Sequence, residues 1–356
     1  MKKRAAAVVL LIIVLLFPKD PAFAAGSFWV YDDDITLTAG QVITLKETEE
    51  VVSVTSDDES VAAVDGLKVT ARGEGECALT VTFAKGNVHR IDITVIPLSV
   101  RRALLMGEAD YEGEKYRVGC VNTTQGMTDM FASQKFTGGT CQTVMRMDSS
   151  RKEFFELIGE TFGEAGVHDV SILYINCHGG IASGVPYLKL HDGSRISAPE
   201  LERALRKIPG VIVLLIDCCQ SGGFLGSGGA SGRFNDLFTG AFAAFGENGV
   251  FGVNKYKILT SCSLTQNSYR ITTETEARET GMATVFARAL CEGAGWDLIR
   301  DKVCTMKADA NLDRTVTLRE MYAYLTRRVP HYLKDTQAVQ DVRVYPEGDG
   351  FVLCAR

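Results

Sequence analysis

The chain has 356 residues, of which 46% are hydrophobic and 35 are glycine, and its formal net charge is −6. These values fit a globular protein of one large or two smaller domains and exclude fibrous and disordered classes. An acidic chain has no electrostatic footprint for nucleic acid, so we expect no nucleic-acid partner. The ten cysteines form no CxxC pair and have no regular spacing, which argues against a zinc site or a dense disulfide framework.

The first 24 residues have the pattern of a secretory signal peptide. The basic residues Lys2 to Arg4 precede an apolar run of about 13 residues, Ala5 to Phe17, and Ala22-Phe23-Ala24 has the small residues that signal peptidase reads. The run is shorter than the ~20 residues that span a bilayer, although an uncleaved anchor is the alternative. Cleavage near Ala24 leaves 34 basic and 43 acidic residues, a net charge of −9. We therefore expect a secreted or cell-surface bacterial protein without a membrane span.

Residues 28–97 read as short strands separated by turns. Asp65-Gly66 is a strong hairpin signal, and Gly73-Glu74-Gly75 and Lys85-Gly86-Asn87 mark further turns. No stretch has helical periodicity, which predicts a small all-β sandwich. The stretches Ile35–Gln41 and Ser60–Val64 resemble the Ig-like repeats of bacterial surface proteins. That resemblance implies a spacer or adhesive unit that would associate the protein with the cell surface.

From residue 100 to residue 356 the pattern changes to alternating strands and helices. Val170–Cys177 and Val211–Asp217 are strongly apolar, as expected of strands buried on both faces. Between them, Ser197 begins a helix that runs to about Lys207 and carries a capping box, since Glu200 lies three residues after Ser197. Repeated β-α-β units predict an α/β domain with a mostly parallel sheet covered on both faces. Ligands of such sheets bind at the carboxyl ends of the strands.

Two of these strands end in reactive side chains that are followed by glycine. One continues into Asn176-Cys177-His178-Gly179-Gly180, and the other into Asp217-Cys218-Cys219-Gln220-Ser221-Gly222. If the strands are neighbours, an imidazole and a thiol lie side by side at one edge of the sheet. The imidazole can then take the thiol proton, the thiolate can attack a carbonyl, and the imidazolium can protonate the leaving amine. A single histidine or cysteine at a strand end is usually only packed, but the pair is far more specific.

The alternation of side chains decides which cysteine is the candidate nucleophile. Successive strand residues point to opposite faces, so Asp217 and Cys219 share a face while Cys218 turns into the sheet packing. The catalytic candidates are therefore His178 and Cys219. The following glycines allow a close approach of substrate, and the backbone N–H groups of Gly179 and Cys219 are the predicted oxyanion donors.

The two segments resemble the hallmark motifs of caspase-like cysteine peptidases, most of all those of metacaspases and clostripain-like bacterial enzymes. The resemblance extends over about residues 100–330 and matches His178 and Cys219 position by position. It implies an endopeptidase that acts on peptide or protein substrates and requires no cofactor. It also implies that Asp217 lies at the base of the pocket for P1, the residue whose carbonyl is attacked. A carboxylate there would pair with a P1 arginine or lysine.

Two further segments resemble the substrate pocket of metacaspases. Gly119–Thr123 lies where that family has a second pocket aspartate, but Thr123 stands at or near its position, which allows a less strict P1 preference. Ser261–Ser268 resembles a pocket-lining stretch, although an ordinary exit from a strand into a loop is the alternative. Including the residue before the histidine motif, the predicted substrate-binding residues are Asp217, Asn176, Cys120, Thr123 and Ser261. The glycine-rich stretch 222–252 resembles a processing loop, and the basic residues in or near it are candidate self-cleavage sites: Arg233, Lys255 and Lys257.

Residues 309–320 have oxygen-bearing side chains at the spacing of an EF-hand loop. The predicted calcium ligands are Asp309, Asn311, Asp313, Thr315 and Glu320. Arg314 departs from the pattern, because the sharp turn of such a loop asks for glycine. The alternative is an Asp/Asn-rich turn that caps the last helix.

Two other functions remain open at this point. The first is a catalytically silent surface protein in which the α/β domain only binds partners, which the Ig-like module favours and the intact His178, Cys219 and Asp217 disfavour. The second is a cysteine transpeptidase or ligase of the same fold. It differs only in whether an amine or water resolves the acyl-enzyme, and the sequence does not separate it from a hydrolase.

Overall fold

The computed structural model describes residues 28–136, 138–225, 255–270 and 283–356. The signal peptide predicted for residues 1–24 and the candidate cleavage site Arg233 lie outside the described residues. Across the ranges that are described, no helix is both long enough and apolar enough to cross a membrane.

The N-terminal region consists of strands only: β1 Asp34–Thr38, β2 Val42–Thr44, β3 Val51–Ser56, β4 Ala62–Asp65, β5 Lys68–Ala71, β6 Gly75–Phe83 and β7 Val88–Ile96. They form a four-stranded sheet in the order β1-β7-β6-β3 and a three-stranded sheet in the order β2-β5-β4. Buried and exposed residues alternate along β7, where Ile91, Ile93 and Val95 are buried. Side chains of both sheets join one apolar cluster. The predicted all-β region is confirmed.

The remaining strands and helices alternate from residue 101 onward. The first part contains β8 Arg101–Gly107, α1 Val118–Ala132, β9 Lys135–Phe136, β10 Gly139–Thr140, β11 Gln142–Met147, α2 Arg151–Phe162, β12 Val170–Asn176, β13 His178–Ala182, β14 Val185–Lys189, β15 Arg195–Ser197 and α3 Ala198–Leu205. The second part contains β16 Val211–Asp217, a short 3₁₀ helix Ser221–Leu225, β17 Tyr256–Thr260, α4 Val285–Gly293, β18 Trp296–Asp297, β19 Lys302–Val303, β20 Thr315–Thr317, α5 Leu318–Leu333, β21 Arg343–Tyr345 and β22 Val352–Ala355.

The centre of this region is a six-stranded sheet in the order β11-β8-β12-β16-β17-β21. Its first five strands run parallel, and only the edge strand β21 is antiparallel to its neighbour β17. One face of the sheet packs against α1, α4 and α5 through a large apolar cluster, and the other packs against α2 and α3 through a second cluster. This is the predicted α/β architecture with helices on both faces.

Alternation along the central strands sets which side chain enters which cluster. In β16, Val213 and Leu215 join the cluster with α1, α4 and α5, while Ile212, Leu214 and Ile216 join the cluster with α2 and α3. Burial of both faces explains why these strands read as continuous apolar runs.

All ten cysteines are free thiols, and eight of them are buried.

Two features of the region differ from the sequence prediction. Helix α1 begins at Val118, about nine residues before the predicted start at Met127. The hydroxyls of Thr123, Thr124 and Thr128 donate to carbonyls four residues back, so these polar side chains are accommodated within the helix. A small antiparallel sheet, β13-β14-β15, also follows the central strand β12. Its strands are three to five residues long.

Candidate active site

The two strands that carry the candidate dyad are direct neighbours. Strands β12 and β16 pair in parallel, with Asn176 opposite Asp217 at their carboxyl ends. His178 and Cys219, two residues further along each chain, therefore leave the sheet at the same edge. Together with Asp217 they line one cavity of about 370 Å³. The adjacency on which the proposed chemistry depends is present.

The faces of the residues around the nucleophile follow the predicted alternation. Tyr174 on β12 donates a hydrogen bond to the carboxylate of Asp217 at 3.0 Å, so Asp217 lies on the face of the sheet that packs against α1 and α4. Cys218 is only 2% exposed and belongs to the cluster on the opposite face. Two causes hold the pKa of the Cys218 thiol well above its ordinary value: the larger is a hydrogen bond with Cys177, and the second is burial. Cys219 is partly exposed at the cavity and is the accessible thiol of the pair.

The imidazole of His178 is held by the loop that follows β8. Its Nε2 lies 3.0 Å from Oε2 of Glu114, and its ring lies 4.7 Å from the ring of Tyr111 between centroids. The backbone N–H of His178 donates to the hydroxyl of Tyr111 at 2.9 Å. Burial lowers the pKa of His178, and the hydrogen bond with Glu114 opposes that shift. A lowered pKa keeps the ring neutral at physiological pH, the state that a general base requires.

The turn that carries Cys219 is packed against two other segments. A Cβ at position 179 would lie 2.6 Å from the carbonyl oxygen of Cys219, so only glycine allows the two strand ends to approach this closely. On the other side, the Ser221 hydroxyl accepts a hydrogen bond from the backbone N–H of Cys262 at 3.1 Å. The hydroxyl of Ser261 donates to the carbonyl of Cys218 at 3.1 Å. These contacts fix the position of the candidate nucleophile.

Asp217 is a fully buried carboxylate with three donors. It accepts hydrogen bonds from Tyr174 at 3.0 Å, from Ser268 at 2.9 Å and from Thr284 at 2.5 Å. Burial raises its pKa, and the three hydrogen bonds oppose that effect. The residue is 0% exposed, so a ligand can contact its carboxylate only by displacing the groups that cover it.

Two arginines line the same cavity. The guanidinium of Arg270 donates to the side-chain oxygen of Asn176 at 2.8 Å. One terminal nitrogen of Arg117 is buried and has no hydrogen-bond partner among the described residues. The sequence reasoning named neither residue. The available signal was their position, because each charge flanks a segment already assigned to the pocket, Gly119–Thr123 or Ser261–Ser268.

The other predicted binding residues lie behind the cavity rather than in its lining. Asn176 donates to the backbone carbonyl of Asp217 at 3.0 Å, and Cys120 donates to the backbone carbonyl of Asn176 at 3.3 Å. Thr123 accepts from the backbone N–H of Thr284 at 3.3 Å, which in turn supports Asp217. Ser261 is fully buried behind the nucleophile turn. These residues position the site, whereas the sequence prediction assigned them to substrate contact.

Comparison with known proteins gives the family. The family model described as the caspase domain matches residues 100–337, which is more than half of the chain. The chain belongs to the caspase family. The resemblance of residues 100–330 to the caspase-like family, predicted from the sequence, is therefore confirmed. Among curated proteins, none is similar enough to the chain to count as a match.

The solved structures that resemble the chain are distant in sequence. Protein GSU0716 from Geobacter sulfurreducens is 15% identical, with a TM-score of 0.42, and the match covers 69% of this chain and 92% of that one. Caspase-1 from Spodoptera frugiperda is 11% identical, with a TM-score of 0.43 and coverages of 72% and 89%. The Drosophila initiator caspase Dronc is 12% identical, with a TM-score of 0.42 and coverages of 72% and 84%.

The predicted calcium loop leads into α5, and none of its residues lines the cavity that contains His178 and Cys219. Its sixth residue, Arg314, has a φ of 66°, so the left-handed turn that glycine would provide is present. The carboxylate oxygens nevertheless already accept protein hydrogen bonds. Asp309 accepts from the backbone of Asp313 and Arg314, and Glu320 accepts from the backbone and hydroxyl of Thr317 in a capping box. Within the described ranges, no group of three or more His, Cys, Asp and Glu side chains is arranged to hold a metal. These contacts fit the helix-capping alternative better than an ion site.

One predicted self-cleavage residue is placed where no peptidase could reach it. Lys257 lies in the central strand β17, is 3% exposed and pairs with Asp349. Cleavage there would require loss of the sheet, so the prediction of Lys257 is wrong. Lys255 lies just before the strand and donates to the carbonyl of Arg206 at 2.7 Å.

Proposed function

We propose that the protein is an exported cysteine endopeptidase in which His178 is the general base and Cys219 the nucleophile. The observation that carries this proposal is the pairing of β12 with β16, which delivers both side chains to one cavity. Membership of the caspase family supports it independently. Export rests on the leader pattern of residues 1–24, and attachment to a cell surface rests on the Ig-like resemblance of residues 28–97.

The chemistry follows from the groups at the cavity. A ring nitrogen of His178 takes the Sγ proton of Cys219, and the thiolate attacks the carbonyl carbon of the scissile peptide. The backbone N–H groups of Gly179 and Cys219 donate to the oxyanion. The imidazolium then gives its proton to the leaving amine as the C–N bond breaks, which leaves a thioester on Cys219. Water, deprotonated by His178, attacks the thioester and releases the acid and the free thiol.

The charge of the pocket bears on which P1 residue is accepted. The sequence prediction of P1 arginine or lysine depends on Asp217, a carboxylate that is buried and already accepts three hydrogen bonds. Arg117 and Arg270 line the same cavity, so its described charged side chains are two guanidinium groups against one carboxylate. An arginine pair is suited to bind a carboxylate. This balance favours an acidic P1 side chain over the basic one that Asp217 alone suggests.

The test compares fluorogenic peptides that differ only at P1, with Asp, Arg or Lys, on the purified chain that begins after Ala24. We expect hydrolysis, its loss in Cys219→Ala and His178→Ala, and a preference for Asp that falls at least tenfold in Arg270→Gln. A preference for Arg or Lys that survives Arg270→Gln and disappears in Asp217→Asn supports the basic P1 residue that Asp217 suggests instead.

Two outcomes of the same assay separate the alternative functions. Hydrolysis of none of the peptides, with Cys219 intact, favours a silent binding protein. Formation of a new peptide bond when a free amine is added, at the expense of hydrolysis, identifies a transpeptidase, because the amine then replaces water in resolving the thioester.

A further inference from the structure

The loop between β8 and α1, residues 108–117, is a built part of the site. Its first backbone groups are clamped by Asp148, whose carboxylate accepts from the N–H of Ala109 at 2.6 Å and of Asp110 at 2.9 Å. The loop closes on itself, because the N–H of Arg117 donates to the carbonyl of Ala109 at 3.1 Å and the N–H of Glu114 donates to the carbonyl of Tyr111 at 3.0 Å. These hydrogen bonds fix the backbone from which the Glu114 side chain extends.

This loop touches His178 at three places. Tyr111 accepts from the backbone N–H of His178, places its ring against the imidazole, and donates its own hydroxyl to the carbonyl of Lys189 at 3.0 Å. Glu114 contacts the imidazole itself, with Oε2 3.0 Å from Nε2. The other Glu114 oxygen lies 3.7 Å from the ammonium of Lys189, which faces His178 across the β13–β14 ladder. Glu114 thus lies between a cation and the ring.

We propose that Glu114 is a positioning residue for the proposed peptidase: its carboxylate accepts the Nε2 proton of His178 and leaves Nδ1 as the nitrogen that takes the thiol proton. This inference rests on the proposed function. The two ring nitrogens of histidine are distinct, and the hydrogen bond made by one fixes the protonation of the other. A carboxylate on Nε2 also stabilises the imidazolium that forms when the thiol proton of Cys219 moves to Nδ1.

The direction of the electrostatic effect follows from every charged or titratable group around the ring. Glu114 raises the pKa of His178, whereas burial, Arg117 and Lys189 lower it. Among the described residues, the other such groups are Tyr111 beside the ring and, in the cavity wall, Cys177, Asp217, Cys218, Cys219, Tyr269 and Arg270. Removal of the Glu114 charge leaves the lowering effects unopposed. The pKa of His178 then falls further, and the imidazolium that forms when Cys219 gives up its proton is less stable.

The test measures kcat and KM against pH for Glu114→Gln and Glu114→Ala. Glu112→Gln is the matched control, because it removes the same charge from an exposed position of the same loop. We expect kcat to fall roughly tenfold in Glu114→Gln, as for one partly exposed charge-assisted hydrogen bond, with KM little changed. The acid limb of the kcat/KM profile moves to lower pH, Glu114→Asp recovers part of the loss, and Glu112→Gln behaves as the wild type. Equal profiles for Glu114→Gln and Glu112→Gln overturn the proposal.

A second readout separates this proposal from the proposed function. Alkylation of Cys219 by iodoacetamide, quantified at that residue by mass spectrometry, needs the thiolate but no peptide. We expect slower alkylation at neutral pH in Glu114→Gln and no change in Glu112→Gln. If the wild type cleaves no peptide but this difference is present, the peptidase proposal fails and the role of Glu114 stands. If peptides are cleaved but Glu114→Gln is alkylated as fast as the wild type, the peptidase proposal stands and the role of Glu114 is rejected.

Discussion

At the scale of single residues, Glu108 is a buried acid whose ionisation opposes folding. Its side chain is 0% exposed and accepts from the backbone N–H of His191 at 2.9 Å and of Ser149 at 3.4 Å. Burial raises its pKa from 4.5 to about 8. The folded state therefore holds this proton more tightly than the unfolded state, so stability declines as the pH rises from 4.5 towards 8.

Glu108→Gln removes this titration while it keeps the side-chain shape. We expect the stability of the variant relative to the wild type to increase between pH 5 and pH 9, by on the order of a few kcal/mol. Urea unfolding at the two pH values measures this difference, and Glu112→Gln, exposed in the same loop, serves as the control. A difference between Glu108→Gln and wild type that does not change with pH would contradict the assignment.

Single residues are also where sequence reasoning was least complete. The sequence pattern singles out His178 and Cys219 as candidates because each follows a long apolar strand and precedes a glycine-containing turn. Arg117, Arg270 and Glu114 carry no such local pattern. The place of the two arginines in the cavity wall, and of Glu114 beside His178, depends on how the loop after β8 and the segment after β17 fold over the sheet edge, which the pattern of a single segment does not encode.

At the scale of elements, the close approach of two strand ends controls the site. A Cβ at Gly179 would lie 2.6 Å from the carbonyl oxygen of Cys219 and 3.0 Å from Cβ of Cys218. Since backbone cannot give way cheaply, Gly179→Ala must displace the nucleophile turn. We expect a loss of about 1–3 kcal/mol in stability and a larger proportional loss of peptidase activity.

The matched control for this variant is Gly159→Ala, in the exposed part of helix α2, where a Cβ meets nothing within 4 Å. It should gain about 0.5–1 kcal/mol, because alanine is the better helix former. Thermal unfolding together with peptide hydrolysis measures both. Full activity of Gly179→Ala would show that the strand ends tolerate separation.

The last helix gives a second prediction at this scale. Glu320 completes the capping box of α5 with Thr317, so Glu320→Ala should cost about 1 kcal/mol of stability. If the loop acts only as a cap, this cost is the same with calcium and with a chelator. Calorimetric titration with calcium, and a calcium-dependent rise of Tm that Asp309→Ala removes, would instead establish the predicted ion site.

Elements were predicted best where both faces are buried. The bounds of β16 agree with the predicted Val211–Asp217, and the capping box of Ser197 and Glu200 begins α3 as expected. The three strands β13, β14 and β15 were missed because runs of three to five residues hold too few positions for periodicity to register. The antiparallel edge strand β21, also three residues long, was missed for the same reason.

At the scale of the whole molecule, the order of the central sheet explains how distant parts of the chain meet. Strands β8, β12, β16 and β17 are neighbours in this order, and each is followed at its carboxyl end by a segment of the candidate site. Those segments supply Glu114, His178, Cys219 and Arg270 in turn. The change from all-β pattern to β-α-β pattern near residue 100 was visible in the sequence, and it coincides with the start of the caspase match. The spatial order of the strands was not visible.

The pairing of β12 with β16 has a consequence for the tandem cysteines. If β16 slipped by one position, Cys218 would face the substrate and Cys219 would enter the apolar layer, so a thiol would still be presented. Asp217 would then lie in that layer without Tyr174, Ser268 and Thr284, and an ionised carboxylate stranded there costs several kcal/mol. The buried carboxylate of Asp217 thus disfavours a shifted register of β16, so that Cys219, and not Cys218, lies on the face of the histidine.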